Sequence, residues 1–477
     1  MCAFRYERRP IPEDSGRDRA TGFGEILHAY TKEEAVLEAQ RCLDCAMPFC
    51  VQACPITQDC RGYIQLIAQE RFDDAARLTI RENPLATVLC KTCYHYCEED
   101  CVMGGRGTPI AIRHLKRAAL EFGKSDLLYV PSAPRDQRVA VIGAGPAGLT
   151  AAWDLSLRGY PVTVYEEQEF LGGQIETIPK YHLEGPELDT DLARFRSLDV
   201  TFVVGKKAGV DFTPESLLAE GYRAVYVAIG ASDPRALGIP GEHLPGVFPA
   251  LTFLLAANKG PEGLIGRKNR RVVVVGGGDV ALDAARSALR FSEGEEVTVV
   301  YRRGRKAMPA VPEDVDEGEE EGIRLVLERA PVRILGTGQV EGIVLQRVEP
   351  GPPDGSGRPT TVLVPGTEET MPCDTVIVAV GERADLTGFP TELNLSPASH
   401  PWPQGKRPEW MSDVEGVFAS GGKSVVYAMA AGTKAAEAID AYLSKKEGRP
   451  PSPRPDPFGG TNPPKLPDGY GGPTWQL

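Results

Sequence analysis

A strand, glycine turn, helix and strand occur in that order twice in this 477-residue chain, and the repeat restricts the fold more than any other feature. The first copy runs Arg138-Val139-Ala140-Val141-Ile142, then Gly143-Ala144-Gly145-Pro146-Ala147-Gly148, a helical stretch Leu149–Arg158, and Val162-Thr163-Val164-Tyr165-Glu166. The second runs Arg271-Val272-Val273-Val274-Val275, then Gly276-Gly277-Gly278-Asp279-Val280-Ala281, a helical Leu282–Phe291, and Val297-Thr298-Val299-Val300-Tyr301-Arg302-Arg303. A lone glycine-rich turn carries little weight, but one between a strand and a helix, with an acid about 20 positions on, carries much more. Two copies imply two dinucleotide sites. Two later apolar runs, Ala224–Gly230 and Thr375–Gly381, end alike, and each is expected to close one half of the molecule.

The residue types in these turns answer physical demands. Gly143 permits the tight turn, Gly145 lets a pyrophosphate approach the backbone, and Gly148 lets helix and strand pack closely. The turn, with Pro146 in it, leads into a helix whose N-terminus meets the phosphates with unpaired N–H groups and its positive dipole end. Glu166, ending the next strand, is placed to accept hydrogen bonds from ribose hydroxyls. Gly276, Gly278, Asp279 and Val280 form the corresponding second turn. There the following strand ends in Arg302-Arg303, whose guanidinium groups can hold a 2′-phosphate that an acid would repel, which favours NADPH while leaving NADH possible.

Cysteine usage is just as uneven. Nine of the eleven cysteines lie between Cys42 and Cys101, and only Cys2 and Cys373 fall elsewhere. An odd total in one segment, without a secretion signal, argues against a disulfide framework and for metal ligation in a reducing compartment. Cys42, Cys45, Cys50 and Cys54 form a C-x2-C-x4-C-x3-C-P run, and Cys90, Cys93, Cys97 and Cys101 form a second group. Eight thiolates in two groups of four suit two [4Fe–4S] clusters, and the Cys-Pro ending resembles that of bacterial ferredoxins. Zinc is the competing occupant of paired C-x2-C. Cys60 and Cys373 read as small buried hydrophobes. Around these cysteines Thr31 and Glu34 form a capping box, and helices are expected near Ala35, over Ile64–Ile80 and over Pro109–Phe122.

Taken together, Arg41-Cys42-Leu43-Asp44-Cys45…Cys50…Cys54-Pro55, the Val141–Leu149 turn, and Gly276-Gly277-Gly278-Asp279…Asp283-Ala284-Ala285-Arg286…Tyr301-Arg302-Arg303 resemble the small subunit of glutamate synthase over about residues 1–445. The same module resembles the N-terminal half of dihydropyrimidine dehydrogenase. The resemblance implies an α/β fold: two Rossmann-like dinucleotide-binding domains preceded by a small α-helical iron–sulfur domain. The implied domains are 1–131 for the clusters, 132–240 with 382–447 for FAD, 241–381 for NADPH, and a Pro/Gly-rich tail at 448–477. It also implies an electron-input subunit that oxidises NADPH at FAD and passes electrons through two [4Fe–4S] clusters to a larger oxidoreductase subunit or a ferredoxin, or the reverse.

Carried onto this chain, the family pattern gives Cys42, Cys45, Cys50 and Cys101 to one cluster and Cys54, Cys93 and Cys97 to the other. The fourth ligand of the second cluster, usually Glu or Gln, aligns with Lys116, whose ammonium cannot ligate iron. Cys90 stands where relatives carry glycine and is expected to supply the missing thiolate, with Glu98, Glu99 and Glu121 as other candidates. Gly173, Gln174 and Gly381 complete the expected cofactor contacts. Gly422 replaces the aspartate that relatives place against the FAD ribityl chain, in a shortened loop. A flavin disulfide reductase would need a cysteine pair near the flavin, and the segment around Leu171-Gly172-Gly173-Gln174 carries none. A non-catalytic iron–sulfur scaffold with degenerate nucleotide sites is the alternative.

Composition excludes other classes. At roughly 150 residues per domain the length suits about three domains. The formal charge of −13, without a long basic run, speaks against nucleic-acid binding. No stretch reaches the roughly 18 apolar residues of a membrane span, so a cytoplasmic protein is expected. Residues 448–477 hold nine Pro and six Gly, too few apolar groups for a core of their own, and suggest a flexible arm or a strap on a partner.

Overall fold

A computed structural model describes residues 5–124, 129–259, 271–291, 296–353, 359–396, 402–403 and 410–454. Both repeated units fold into parallel five-stranded sheets. In the first, the order is Val417–Ala419, Ala224–Val227, Val139–Ile142, Val162–Tyr165, Val200–Val203. In the second it is Val247–Pro249, Thr375–Val378, Val272–Val275, Val297–Tyr301, Arg324–Leu327. The glycine-turn strands are buried at every residue, as expected for central parallel strands covered on both faces. The strands ending at Val227 and Val378 lie beside them in matching register, so the two later apolar runs close the halves as their sequences suggested.

Each glycine turn leads directly into a helix, Pro146–Leu157 in the first unit and Asp279–Phe291 in the second. Both start earlier than the apolar pattern indicated, because helical backbone needs only the end of the turn and not an apolar side chain. The helix Val425–Lys446 packs along Pro146–Leu157 and brings its N-terminus to the first turn. The two halves are joined at Asp233–Pro234 and Glu382–Arg383, which pair antiparallel, with an Arg383 to Asp233 ion pair at 2.5 Å. An antiparallel layer that the sequence did not announce leaves the second half after Leu327: Arg329–Leu335, Gly342–Pro353, Pro359–Leu363 and Glu369–Pro372, with Gly342–Pro353 pairing to the other three.

The cysteine-rich segment is helical. Thr31 caps Lys32–Ala39, and the capping box with Glu34 is present. The expected Ile64–Ile80 helix is instead two, Cys60–Ala68 and Phe72–Arg81, because Glu70 takes a left-handed conformation (φ 61°) between them. Ala86–Thr92 and Ile112–Phe122 complete the bundle around Leu66, Leu78 and Leu115. The start of the Pro/Gly-rich tail is not a free arm. Ser452 donates its backbone N–H to buried Asp440 at 2.6 Å, and the Arg158 guanidinium donates to the Ser452 carbonyl at 2.7 Å. The rest of the tail, with Gly459, Gly460 and Trp475, lies outside the described residues. No helix among the described residues is long and apolar enough to cross a membrane.

Candidate functional site

One cleft of about 1650 Å³ runs between the two sheets. That exceeds the roughly 300–1,000 Å³ of a single small-molecule pocket and has room for two dinucleotides. It gathers Gly143, Gly145, Pro146, Glu166, Gly173 and Gln174 from the first half, Gly276, Gly278, Asp279, Val280, Arg302 and Arg303 from the second, and Gly381 and Gly422. Gly148 lies behind the wall, where a Cβ would stand 1.9 Å from the Gly143 carbonyl oxygen, so its place is in helix–strand packing. No cysteine lines the cleft among the described residues.

The two turns are built alike. Gly143 has φ 104° and Gly276 φ 156°, and a Cβ on either would meet the carbonyl oxygen of Ala228 at 2.5 Å or of Ala379 at 2.3 Å. The neighbouring strand end thus demands glycine at both. Gly145 and Gly278 are different: the nearest atoms to a Cβ are Gly173 Cα at 4.0 Å and Pro309 Cγ at 3.7 Å. Protein contacts do not require glycine there, whereas a pyrophosphate pressed against the backbone does. This open cradle at a helix N-terminus fits a dinucleotide in each half.

Glu166 is buried, and its two oxygens accept the backbone N–H groups of Ala144 at 2.8 Å and Gln168 at 2.9 Å. Burial raises its pKa while these bonds oppose the rise. About half of the carboxylate's lone pairs stay available for ribose hydroxyls. Gln174 donates to the Ala231 carbonyl and so ties the turn at Gly173 to the junction between the halves. At Gly422 the expected replacement of an acid by glycine coincides with a position that has no room for a side chain. A Cβ there would lie 2.1 Å from the Ala428 nitrogen, since the shortened loop returns the first turn of Val425–Lys446 onto it.

At the second turn Asp279 accepts the Val311 N–H at 2.9 Å, and Tyr94 lines the same cleft near enough to its carboxylate for each to shift the other's pKa. Arg302 is exposed in the cleft with no ion pair or hydrogen bond recorded among the described residues, whereas Arg303 donates to the Pro359 carbonyl at 3.0 Å. Arg302 is therefore the freer of the two for an anionic group. The Tyr94 contact, which sequence spacing gave no means of seeing, carries the cysteine loop to the nucleotide cleft. Tyr94, His95 and Arg113 all line that cleft, and Tyr96 stacks edge-on with Tyr427 at 5.4 Å beside Ser424.

The thiols form two neighbourhoods. Cys42, Cys45, Cys50 and Cys101 share one recess walled by Ile64, Met103 and Ile110. Its loops are pinned by Arg41, which pairs with Glu38 at 2.5 Å and donates to the carbonyls of Tyr6 and Thr108 at 2.5 and 2.7 Å. Cys54, Cys60, Cys93 and Cys97 form the other: Cys60 and Cys97 share one buried apolar cluster, and the Cys54 and Cys93 thiols lie close enough to Cys97 to add to the rise that burial gives its pKa. Cys90 stands apart, donating to the Thr87 carbonyl at 3.0 Å. Burial pushes Cys42 up to about 11 and Cys50 and Cys90 up to about 12, so these are thiols until a metal displaces their protons. Among the described residues no three Cys, His, Asp or Glu side chains are drawn together as ligands of one ion. Soft thiols in apolar recesses are nevertheless the donors that an iron–sulfur cluster takes.

Comparison with known proteins agrees with this division. Residues 19–126 match the family described as dihydropyrimidine dehydrogenase domain II, 4Fe-4S cluster, and residues 137–436 match pyridine nucleotide-disulphide oxidoreductase. The NADP(+)-dependent formate dehydrogenase subunit beta of Moorella thermoacetica is 34% identical over 482 residues, which cover 92% of this chain and 66% of that subunit. The glutamate synthase [NADPH] small chain of Halomonas elongata is 35% identical over 389 residues, 78% of this chain and 82% of that one. Among solved structures, FprA, an oxidoreductase of Mycobacterium tuberculosis, shares the fold with a TM-score of 0.56 at 21% identity, over 67% of this chain and 87% of that one. The chain belongs to the pyridine nucleotide-disulphide oxidoreductase family, as a homologue of the glutamate synthase small chain carrying an iron–sulfur domain ahead of its two nucleotide-binding sheets.

Proposed function

We propose that this chain is an electron-input subunit, oxidising NADPH at FAD and passing electrons through two [4Fe–4S] clusters to a partner oxidoreductase or ferredoxin, or running in reverse. The observation that carries this reading is that the Cys93–Cys97 loop reaches the same cleft as both glycine turns, through Tyr94 and His95. FAD, when bound, converts a hydride into single electrons that iron–sulfur clusters accept.

The chain's own groups bind and orient. Gly145 and the start of Pro146–Leu157 receive the flavin pyrophosphate, and Glu166 takes the adenosine ribose. Gly278 and the start of Asp279–Phe291 receive the nicotinamide dinucleotide, with Arg302 toward its 2′-phosphate. The N-terminus of Val425–Lys446 and Lys423, which also line the cleft, supply positive charge where relatives carry aspartate. The thiol quartet of Cys42, Cys45, Cys50 and Cys101 lies outside the nucleotide cleft and forms the outer end of the path. Anaerobically purified protein is expected to carry FAD and about eight irons, the content of two four-iron clusters, and to reduce artificial dyes with NADPH. Protein that binds neither flavin nor NADPH would instead establish the scaffold reading.

A further inference from the structure

Resting on the two-cluster reading, we propose that Cys60, and not Cys90, is the fourth thiolate of the second cluster, alongside Cys54, Cys93 and Cys97. Cys60 is 2% exposed and opens the helix Cys60–Ala68. That helix start is fixed by Asp59, which caps it by accepting the Gly62 N–H at 2.9 Å, and by Gln58, which donates to the Thr79 carbonyl at 2.8 Å. The result is a buried thiol in the same apolar cluster as Cys97, from far along the chain, with Phe49–Ala53, the helix that leads into Cys54, packed against both the Cys60 and the Cys97 helices.

Cys90 has none of these neighbours. It lies within Ala86–Thr92, and its thiol turns back along that helix to the Thr87 carbonyl at 3.0 Å. The charged groups around it are Lys116, Arg117, Asp191 and Lys91, and no cysteine is among them. Cys93 leaves the helix in an extended conformation, so spacing of three does not put the two thiols on one face.

The carboxylates are committed elsewhere or exposed. Glu98 accepts the Arg113 N–H at 3.0 Å and pairs with Arg8 at 3.2 Å. Glu121 pairs with Arg117 at 2.6 Å, and Glu99 is exposed. Lys116 is buried with its ammonium beside Cys54, Cys90 and Cys93. In this arrangement it opposes the charge of an all-thiolate cluster, and Tyr63, whose hydroxyl donates to the Ile112 carbonyl at 3.5 Å, packs in the same apolar cluster as Cys60. On assembly each of the four thiols releases its proton to solvent as its sulfur bonds iron.

The test uses the full chain, purified anaerobically, with iron and sulfide analysis and electron paramagnetic resonance of the dithionite-reduced protein. Wild type is expected to hold about eight irons and give two cluster signals. Cys60→Ala should lower iron to about four and remove one signal, leaving the other signal and the flavin absorbance. Cys90→Ser should keep both signals and all the iron. Two intact signals in Cys60→Ala, or a changed cluster signal in Cys90→Ser, would overturn the assignment. Where Cys60→Ala fails to fold, Cys90→Ser alone decides on the same readout. A wild type with about four irons would instead bring down the two-cluster reading beneath it.

Discussion

Gly145 and Gly148 stand three residues apart and are glycine for opposite reasons, which makes their substitutions diagnostic. Gly145 has ordinary extended backbone and no non-neighbouring protein atom closer than 4.0 Å to an added Cβ, so Gly145→Val should fold with the melting temperature of flavin-stripped wild type and purify without flavin. Stoichiometric FAD absorbance in that variant would move the flavin site. Gly148→Val would drive its Cβ into the Gly143 carbonyl and should lose the fold along with the flavin. Arg302 and Arg303 separate in a similar way. Loss of a charged hydrogen bond costs about 1.5–3 kcal/mol, so Arg302→Ala should raise the NADPH KM by roughly 10- to 150-fold with little change for NADH. Arg303, already bonded to Pro359, should matter less. Steady-state kinetics with both nucleotides gives the answer, and equal losses would remove Arg302 from the 2′-phosphate. The shape of the first turn was readable from the sequence because a glycine turn imposes its demands within a few residues. The surroundings of Cys60 and Cys90 were not, because which thiol meets Cys97 depends on how distant helices cross.

Among the elements, the repeated strand–turn–helix units were legible because parallel strands buried on both faces have continuous apolar sequences. The antiparallel layer was not, since much of its surface is exposed: Gly342–Pro353 is buried over its first five residues and largely open beyond. The break in Ile64–Ile80 was hidden because Glu70 gives no compositional sign of its left-handed turn. Also invisible was a latch between the N-terminal arm and the second nucleotide sheet. Glu321 is buried and pairs with Arg286 at 2.6 Å and Arg290 at 2.9 Å, while Arg19 of the arm reaches Glu320 at 2.6 Å and Arg290 donates to the Gly22 carbonyl at 2.8 Å. Removing Glu321 leaves Arg290 buried without an acidic partner among the described residues, while Arg286 keeps Glu317 at 2.8 Å. Glu321→Ala should therefore destabilise the protein by about 3–5 kcal/mol, seen as a lower denaturation midpoint. A midpoint shift worth under about 1 kcal/mol would show the latch to be solvated in solution.

The molecule as a whole gathers both glycine turns in one cleft of about 1650 Å³ and the Cys42, Cys45, Cys50 and Cys101 thiols in a far smaller recess apart from it. Its formal charge of −13 suits orientation of a partner by long-range electrostatics. Around the outer thiol quartet, Met47 is 58% exposed and Phe49 45%, apolar side chains beside Cys45 and Cys50 that a partner face could cover. If electrons leave there, Phe49→Asp should slow reduction of the native partner while dye reduction by NADPH persists, the dye having access to the cleft directly. Residues 449–454 are bonded to Tyr160, Asp440 and Arg158, so truncation at 448 would strip those contacts and confuse docking with folding. Removing only residues 455–477 leaves them intact and should weaken co-purification of the partner without altering the melting temperature or dye reduction. The purified single chain is expected to turn over no metabolite without a partner or added carrier. Full turnover of a specific metabolite by that chain alone would refute the electron-input reading and place a substrate beside the flavin.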